Sequence, residues 1–340
     1  MSRVDAITLP FEVKTKLQAS DRKCECCHRF WLLQMKRPSR HHLISVTWLF
    51  ALCIYWCRQP NSRSSGLNIF LSAVRSCSGF ATPVEVATDD LLPYPIPELL
   101  SQVDHIFIVS LDTCRTKLPL SIVGKSTCIV GRKVDDCAPS VFLRGAHAHA
   151  MKVSFTHAVI LQISHDASYD SVAILEDDIE FIHRRFNEQV VEDFTKLLRE
   201  PEWSVVRLGF RPFFLQERGN VHCPNSCRCF LSENIAGEHF CQLRKTGCDL
   251  RSSDMYAIHA PYFLRLQSEI LNLDVTNSKR IVDLYPMRSL PHQWLLLPQV
   301  SFQKTLDIPP DYQIGLGALY VKKCTGPRPL PPALSRQLHE

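Results

Sequence analysis

The sequence predicts an α/β fold: a mainly parallel central sheet with helices on both faces, preceded by an N-terminal membrane helix. Three observations carry this. From residue 103 onward, short apolar runs that end in charged residues alternate with stretches of helical periodicity. That is the pattern of strands buried between helices. One run, residues 172–175, passes directly into Glu176-Asp177-Asp178. Residues 43–57, LISVTWLFALCIYWC, carry no charge and follow a basic flank.

The chain has 340 residues, enough for one large domain or two small ones. At 45% hydrophobic residues it has ample material for a core. The net charge of +5 is mild, and basic residues are interspersed with acids. This argues against nucleic-acid binding, which needs a dense basic patch. The 15 cysteines are scattered, and no CxxC pair meets another at zinc-finger spacing. Such usage points to an oxidising compartment.

Residues 1–42 read as a weakly structured cytoplasmic tail. Its Cys24-Glu25-Cys26-Cys27-His28 cluster is too tight for a tetrahedral zinc site without distant partners. Palmitoylation near a membrane span and incidental free thiols are the remaining readings. Residues 43–57 read as a signal-anchor helix. Fifteen residues fall short of the roughly 20 of a full span, but thinner bilayers accept a shorter one. Lys36, Arg37, Arg40, His41 and His42 before it place the amino side in the cytoplasm. Residues 58–102 read as a Ser-, Pro- and Arg-containing stem or linker. The folded domain is expected over 103–324, with a Pro-rich tail over 325–340.

Within that domain, residues 105–111 form a strong buried-strand pattern that ends at Asp112, with Arg115 beyond. A second strand covers 127–130. Gly124-Lys125-Ser126 resembles the end of a phosphate loop, but the first glycine that loop requires is replaced by Pro119. Residues 146–164 read as a helix with Val153, His157, Ile160, Leu161 and Ser164 on one face. A strand over 172–175 leads into the acidic triplet, and an amphipathic helix follows over 186–198. Further strands cover 204–209 and 254–259, with a helix over 262–271 and a last apolar run at 294–300. Between them, residues 220–250 hold Cys223, Cys227, Cys229, Cys241 and Cys248. In a lumen this is a disulfide-stapled loop with at least one internal pair; five is odd, so one cysteine stays free or pairs outside it. Zinc, with His222 and His239 as further ligands, ranks below disulfides. No Asn-x-Ser/Thr sequon occurs.

The triplet Glu176-Asp177-Asp178 is the chemical centre. Adjacent carboxylates repel unless a cation holds them, and ligands of open α/β sheets collect at the carboxyl ends of strands. Hard divalent ions take oxygen ligands, often one or two carboxylates plus substrate phosphates. The competing reading is a solvated acidic turn that caps the next helix.

The order of these pieces resembles glycosyltransferase family 25, the lipooligosaccharide and collagen galactosyltransferase pattern. The pieces are Leu111-Asp112 with Arg115, Ser154-Phe155-Thr156-His157, Ile174-Leu175-Glu176-Asp177-Asp178, Val206-Arg207-Leu208-Gly209 and Tyr256-Ala257-Ile258. That family usually carries Gly-Cys before a Ser-His pair; here Gly-Cys is missing and two residues separate Ser154 from His157. The resemblance implies a GT-A fold with a nucleotide-binding half and an acceptor half. It implies a UDP-sugar donor, a hexose (galactose-like) group, and a glycan or protein hydroxyl as acceptor. Glu176 and Asp178 would hold Mn²⁺ (or Mg²⁺), with His292 as a late metal ligand. Asp112, Arg115 and Asp177 would face the nucleotide sugar. Asp283, Asp254 and His157 are the catalytic candidates, since an inverting transfer needs a carboxylate or imidazole near the acceptor hydroxyl. Golgi or ER residence, single-pass type II with a luminal catalytic domain, completes this reading. Its alternatives are a non-catalytic luminal binding protein on a degenerate transferase fold and a cytosolic nucleotidyltransferase.

Overall fold

The computed structural model describes residues 62–83, 85–86, 96–111, 114–116, 120–182, 185, 187–212, 222–231, 237–251, 254–272, 276–282, 286–297, 299, 301–303 and 310–325. One compact unit runs from Ser65 to Glu340. Its strands are β1 (Ala81–Pro83), β2 (Glu85–Val86), β3 (His105–Ser110), β4 (Arg115–Thr116), β5 (Ser126–Val130), β6 (Ser171–Glu176), β7 (Ile179–Phe181) and β8 (Val205–Arg207). They continue with β9 (Arg211–Pro212), β10 (Cys229–Leu231), β11 (Phe240–Leu243), β12 (Leu250–Arg251), β13 (Met255–His259), β14 (Gln293–Leu296) and β15 (Ser301–Gln303). The helices are α1 (Ser62–Ser78), α2 (Ile96–Ser101), α3 (Leu120–Val123), α4 (Gly131–Val134), α5 (Ser140–Leu143), α6 (Ala148–Asp166), α7 (Glu188–Leu198), α8 (Phe263–Ile270) and α9 (Pro310–Cys324).

Nine strands form the central sheet in the order β1-β5-β3-β6-β13-β8-β14-β11-β10. β3, β5, β6, β8, β10 and β14 run one way; β1, β11 and β13 run the other. The sheet is therefore mainly parallel in direction but mixed in its pairing. β13 inserts in reverse between β6 and β8, two strands that run alike.

Strand alternation puts a core on each face. Ile106 and Ile108 of β3, with Ala173 and Leu175 of β6, join Leu99 and Leu100 of α2 and Val190, Phe194 and Leu197 of α7. Phe107 and Val109, with Val172 and Ile174, face Phe155, Ala158 and Leu161 of α6 and Leu266 and Ile270 of α8. Helices thus cover both faces, as the sequence predicts. Each fully buried Leu, Ile or Phe contributes about 1.5–3 kcal/mol to these layers.

Within the stretch expected to be a stem, residues 65–83, 85–86 and 96–102 pack as part of the domain. α1 lays Phe70, Val74 and Cys77 into the second core, and Cys77 is bonded to Cys137. β1 pairs antiparallel with β5 at the sheet edge. α2 buries Leu99 and Leu100 completely. Most of the serines of this segment lie within α1, Pro83 ends β1, and Pro97 and Ser101 lie within α2. Residues 43–57 lie outside the described residues, and among those described no helix is long and apolar enough to cross a membrane. The tail expected over 325–340 also falls almost wholly outside them.

A third core gathers Phe210, Leu250, Leu295, Leu316, Tyr320 and Val321 around the cysteine-rich segment. Cys227 pairs with Cys248 and Cys229 with Cys241, while Cys223 reaches α9 through Cys324. The expected odd cysteine therefore does pair outside the loop. The remaining bridge joins Cys114 to Cys128. The segment is also pinned from α7. Buried Asp193 accepts His239 Nδ1 at 2.8 Å and the backbone N–H groups of Glu238 and His239. Gly237, at φ 64°, lies so close to the Asp193 carboxylate that a side chain there would collide with it.

Candidate active site

β6 ends at Glu176, and the chain turns at Asp177 and Asp178 into β7, which leaves the sheet to pair with β15. The Asp177 N–H still donates to Val109 O at 3.0 Å, which extends the ladder to β3 by one residue. Its carboxylate turns back to the end of β3, where Oδ2 accepts the Ser110 hydroxyl at 2.5 Å and the Leu111 N–H at 3.3 Å. Asp177 thus clamps two strand ends, and its neighbours Glu176 and Asp178 sit on either side of that clamp. Oδ2 of Asp177 is thus engaged within the protein, while the residue itself is exposed.

Because β13 runs opposite to β6, its entrance meets the exit of β6. The Glu176 N–H donates to Asp254 O at 2.8 Å. Asp254 is 1% exposed and rests on Gly209, at the exit of β8. A Cβ added at Gly209 would stand 2.7 Å from Asp254 Oδ2 and would collide with Ser301 Oγ. The Val-Arg-Leu-Gly run therefore ends in glycine because strand exit, carboxylate and β15 converge there. Glu176, Asp177, Asp178 and Asp254, four of the candidates, share one edge of the sheet.

His157, on α6, lies beneath that edge with no solvent exposure. Its ring stacks on Tyr256, with centroids 5.6 Å apart, and Nδ1 lies 2.6 Å from the Tyr256 hydroxyl. Nε2 faces Glu176 Oε1 at 3.9 Å. Burial lowers the His157 pKa to about 3, so the ring is neutral. Burial, then the charge of Glu176, pushes the Tyr256 phenol well above its usual value, against a smaller lowering from Arg207. His157 is thus placed within the core, behind Glu176 rather than at the strand exits.

The other candidates part from this group. His292 precedes β14, which runs in the same direction as β6, so it sits at the opposite edge, where its carbonyl accepts the Ser204 N–H. A strand's length separates that edge from Glu176, so one ion is not shared between them. Arg115 is placed only through its backbone, in the β2–β4 ribbon beside the Cys114–Cys128 bridge. Asp112 and Asp283 lie outside the described residues. Their neighbours are placed: Leu111 at Asp177, and Val282 with its N–H on Ser154 Oγ at 2.8 Å. Lys125, of the rejected phosphate loop, gives its ammonium to the carbonyls of Ser101 and Val103.

Three participants escaped the sequence reading: Ser110, Gly209 as a contact point, and Tyr256 as the partner of His157. Fully buried Arg207, paired across the strands with Tyr256, is a fourth. A lone arginine in an apolar central strand was its available signal.

Among the described residues no three His, Cys, Asp or Glu side chains gather as a metal cage. The edge offers two carboxylates, Glu176 and Asp178, flanking a third that is engaged elsewhere. An all-oxygen pair fits a hard divalent ion completed by water and a diphosphate, and does not fit structural zinc. In comparisons with known proteins, no family model and no curated protein matches this chain.

Proposed function

We propose that this chain is a metal-dependent glycosyltransferase of the GT-A type. It moves a hexose from a UDP-sugar to a hydroxyl of a glycan or protein in the secretory lumen. The observation that carries the reading is that the turn bearing Glu176 and Asp178 follows the exit of β6, beside the entrance of β13 where Asp254 lies buried. Such edges are where open α/β sheets hold nucleotides. Supporting it are the family 25 resemblance and the pairing of all ten cysteines from Cys77 to Cys324, which suits an oxidising lumen. Residues 43–57 would provide the type II anchor.

Glu176 and Asp178 would hold Mn²⁺ or Mg²⁺, which supplies positive charge for the departing diphosphate. The Ser110–Asp177 clamp keeps the turn that presents both. Asp254 is the candidate base on the described residues. In an inverting transfer the acceptor oxygen bonds the anomeric carbon, the carbon–phosphate oxygen bond breaks, and the acceptor proton passes to the carboxylate.

The test is a panel of UDP-sugars with Mn²⁺ and the full chain in detergent. Metal-dependent release of UDP from one donor supports the reading; none from any donor, with and without acceptors, sinks it. A second reading, a non-catalytic luminal binding protein, is favoured by the burial of Asp254. It predicts donor binding without hydrolysis.

A further inference from the structure

Tyr256, His157 and Glu176 form a chain of groups leading from the core to the site. The Tyr256 hydroxyl is 2.6 Å from His157 Nδ1, and His157 Nε2 is 3.9 Å from Glu176 Oε1. Both rings are buried, and Nε2 makes no hydrogen bond within the protein. A neutral imidazole carries one proton. If it sat on Nδ1, the lone pair of Nε2 would point at a carboxylate, and two acceptors would face each other. With the proton on Nε2, the ring donates toward Glu176 and accepts the phenol O–H at Nδ1. The gap to Glu176 closes to hydrogen-bond length by a shift of about 1 Å, the kind of tightening expected when a site fills.

We propose that His157 is a positioning residue for Glu176: held by Tyr256 in the Nε2–H form, it orients that carboxylate for cation binding. The proposal rests on the metal-dependent reading above. A histidine that fixes a ligating carboxylate from behind typically changes metal affinity 10–100-fold when removed.

The experiment has two arms on the full chain in detergent. In the first, ¹⁵N-histidine NMR of the metal-free protein identifies the His157 signals by their loss in His157→Gln. The expected result is the Nε2–H tautomer; an Nδ1–H tautomer overturns the proposal. In the second, Mn²⁺ binding is measured by calorimetry. His157→Phe should weaken it by about 10–100-fold, and His157→Gln, which retains an N–H donor, should recover most of the loss. Tyr256→Phe keeps the ring stack and removes only the hydroxyl. It leaves Nδ1 without its donor and the ring free to turn away from Glu176, so it should weaken Mn²⁺ several-fold, which tests the positioning role even if His157→Phe does not fold. Equal Mn²⁺ affinity in the wild type and these variants overturns the proposal alone. Absence of Mn²⁺ binding by the wild type overturns the metal-dependent reading and the positioning role with it.

Discussion

The Asp177 carboxylate accepts the Ser110 hydroxyl at 2.5 Å, joining residues 67 positions apart at the exits of two parallel neighbours, β3 and β6. In the middle of an acidic triplet, the central acid is the structural one. Its flanking acids, Glu176 and Asp178, are both half-buried.

Asp177→Ala should therefore lower stability by about 1–3 kcal/mol, because the Ser110 hydroxyl and the Leu111 N–H lose their acceptor. Ser110→Ala should lose about 1 kcal/mol, and the double variant should lose less than the sum, since the two residues share a bond. Urea unfolding of the three variants measures this. Fully additive losses would show that the clamp is not a coupled unit.

Asp178→Asn keeps shape and removes charge. UDP-sugar turnover should fall by about a hundred- to a thousandfold, the usual effect of removing one transition-state electrostatic contact. The metal-free melting temperature should be unchanged or slightly raised, because carboxylate repulsion is relieved. Mn²⁺ with UDP should stabilise the wild type and not the variant. Equal stabilisation of both would reduce the triplet to a surface turn.

Mass mapping of the unreduced protein should return Cys77–Cys137, Cys114–Cys128, Cys223–Cys324, Cys227–Cys248 and Cys229–Cys241. Cys324→Ser should cost about 2–4 kcal/mol, since this bridge closes the longest loop and ties α9 to the cysteine-rich segment. Finding Cys223 alkylated in the native protein would refute that tie.

His105, at the entrance of β3, stacks on Tyr169 and bonds Thr127 Oγ1 at 2.8 Å. Burial, then the charge of Lys125, lowers its pKa to about 4. A histidine whose folded pKa is depressed contributes stability above its unfolded value of about 6.5. That stability is lost as pH falls toward 4, because only the unfolded chain takes up the proton. Discounted for partial exposure, the loss is about 1–2 kcal/mol. His105→Gln should make the stability profile between pH 6.5 and 4 less steep, with His157 still contributing; an unchanged slope would refute this assignment.

The sequence by itself determined the elements that obey local physics. Residues 105–110 alternate so that both sides bury, which makes β3 legible before any partner is known. The helical spacing around His157 and the strand into Glu176 were legible for the same reason. So was the disulfide character of the 220–250 segment, as a property of composition. Only the tertiary structure decided what depends on residues far apart in the chain. The partner of Cys223 is 101 residues away in α9, and no local spacing encodes it. The ordering of α1, β1 and α2 depends on faces supplied by α5, β5 and α7, so a Ser- and Pro-containing stretch read as a stem. Strand direction placed His292 at the wrong edge and Asp254 at the right one. Depth made His157 a support beneath Glu176, and a hydrogen bond to Ser110 separated Asp177 from two neighbours of the same charge.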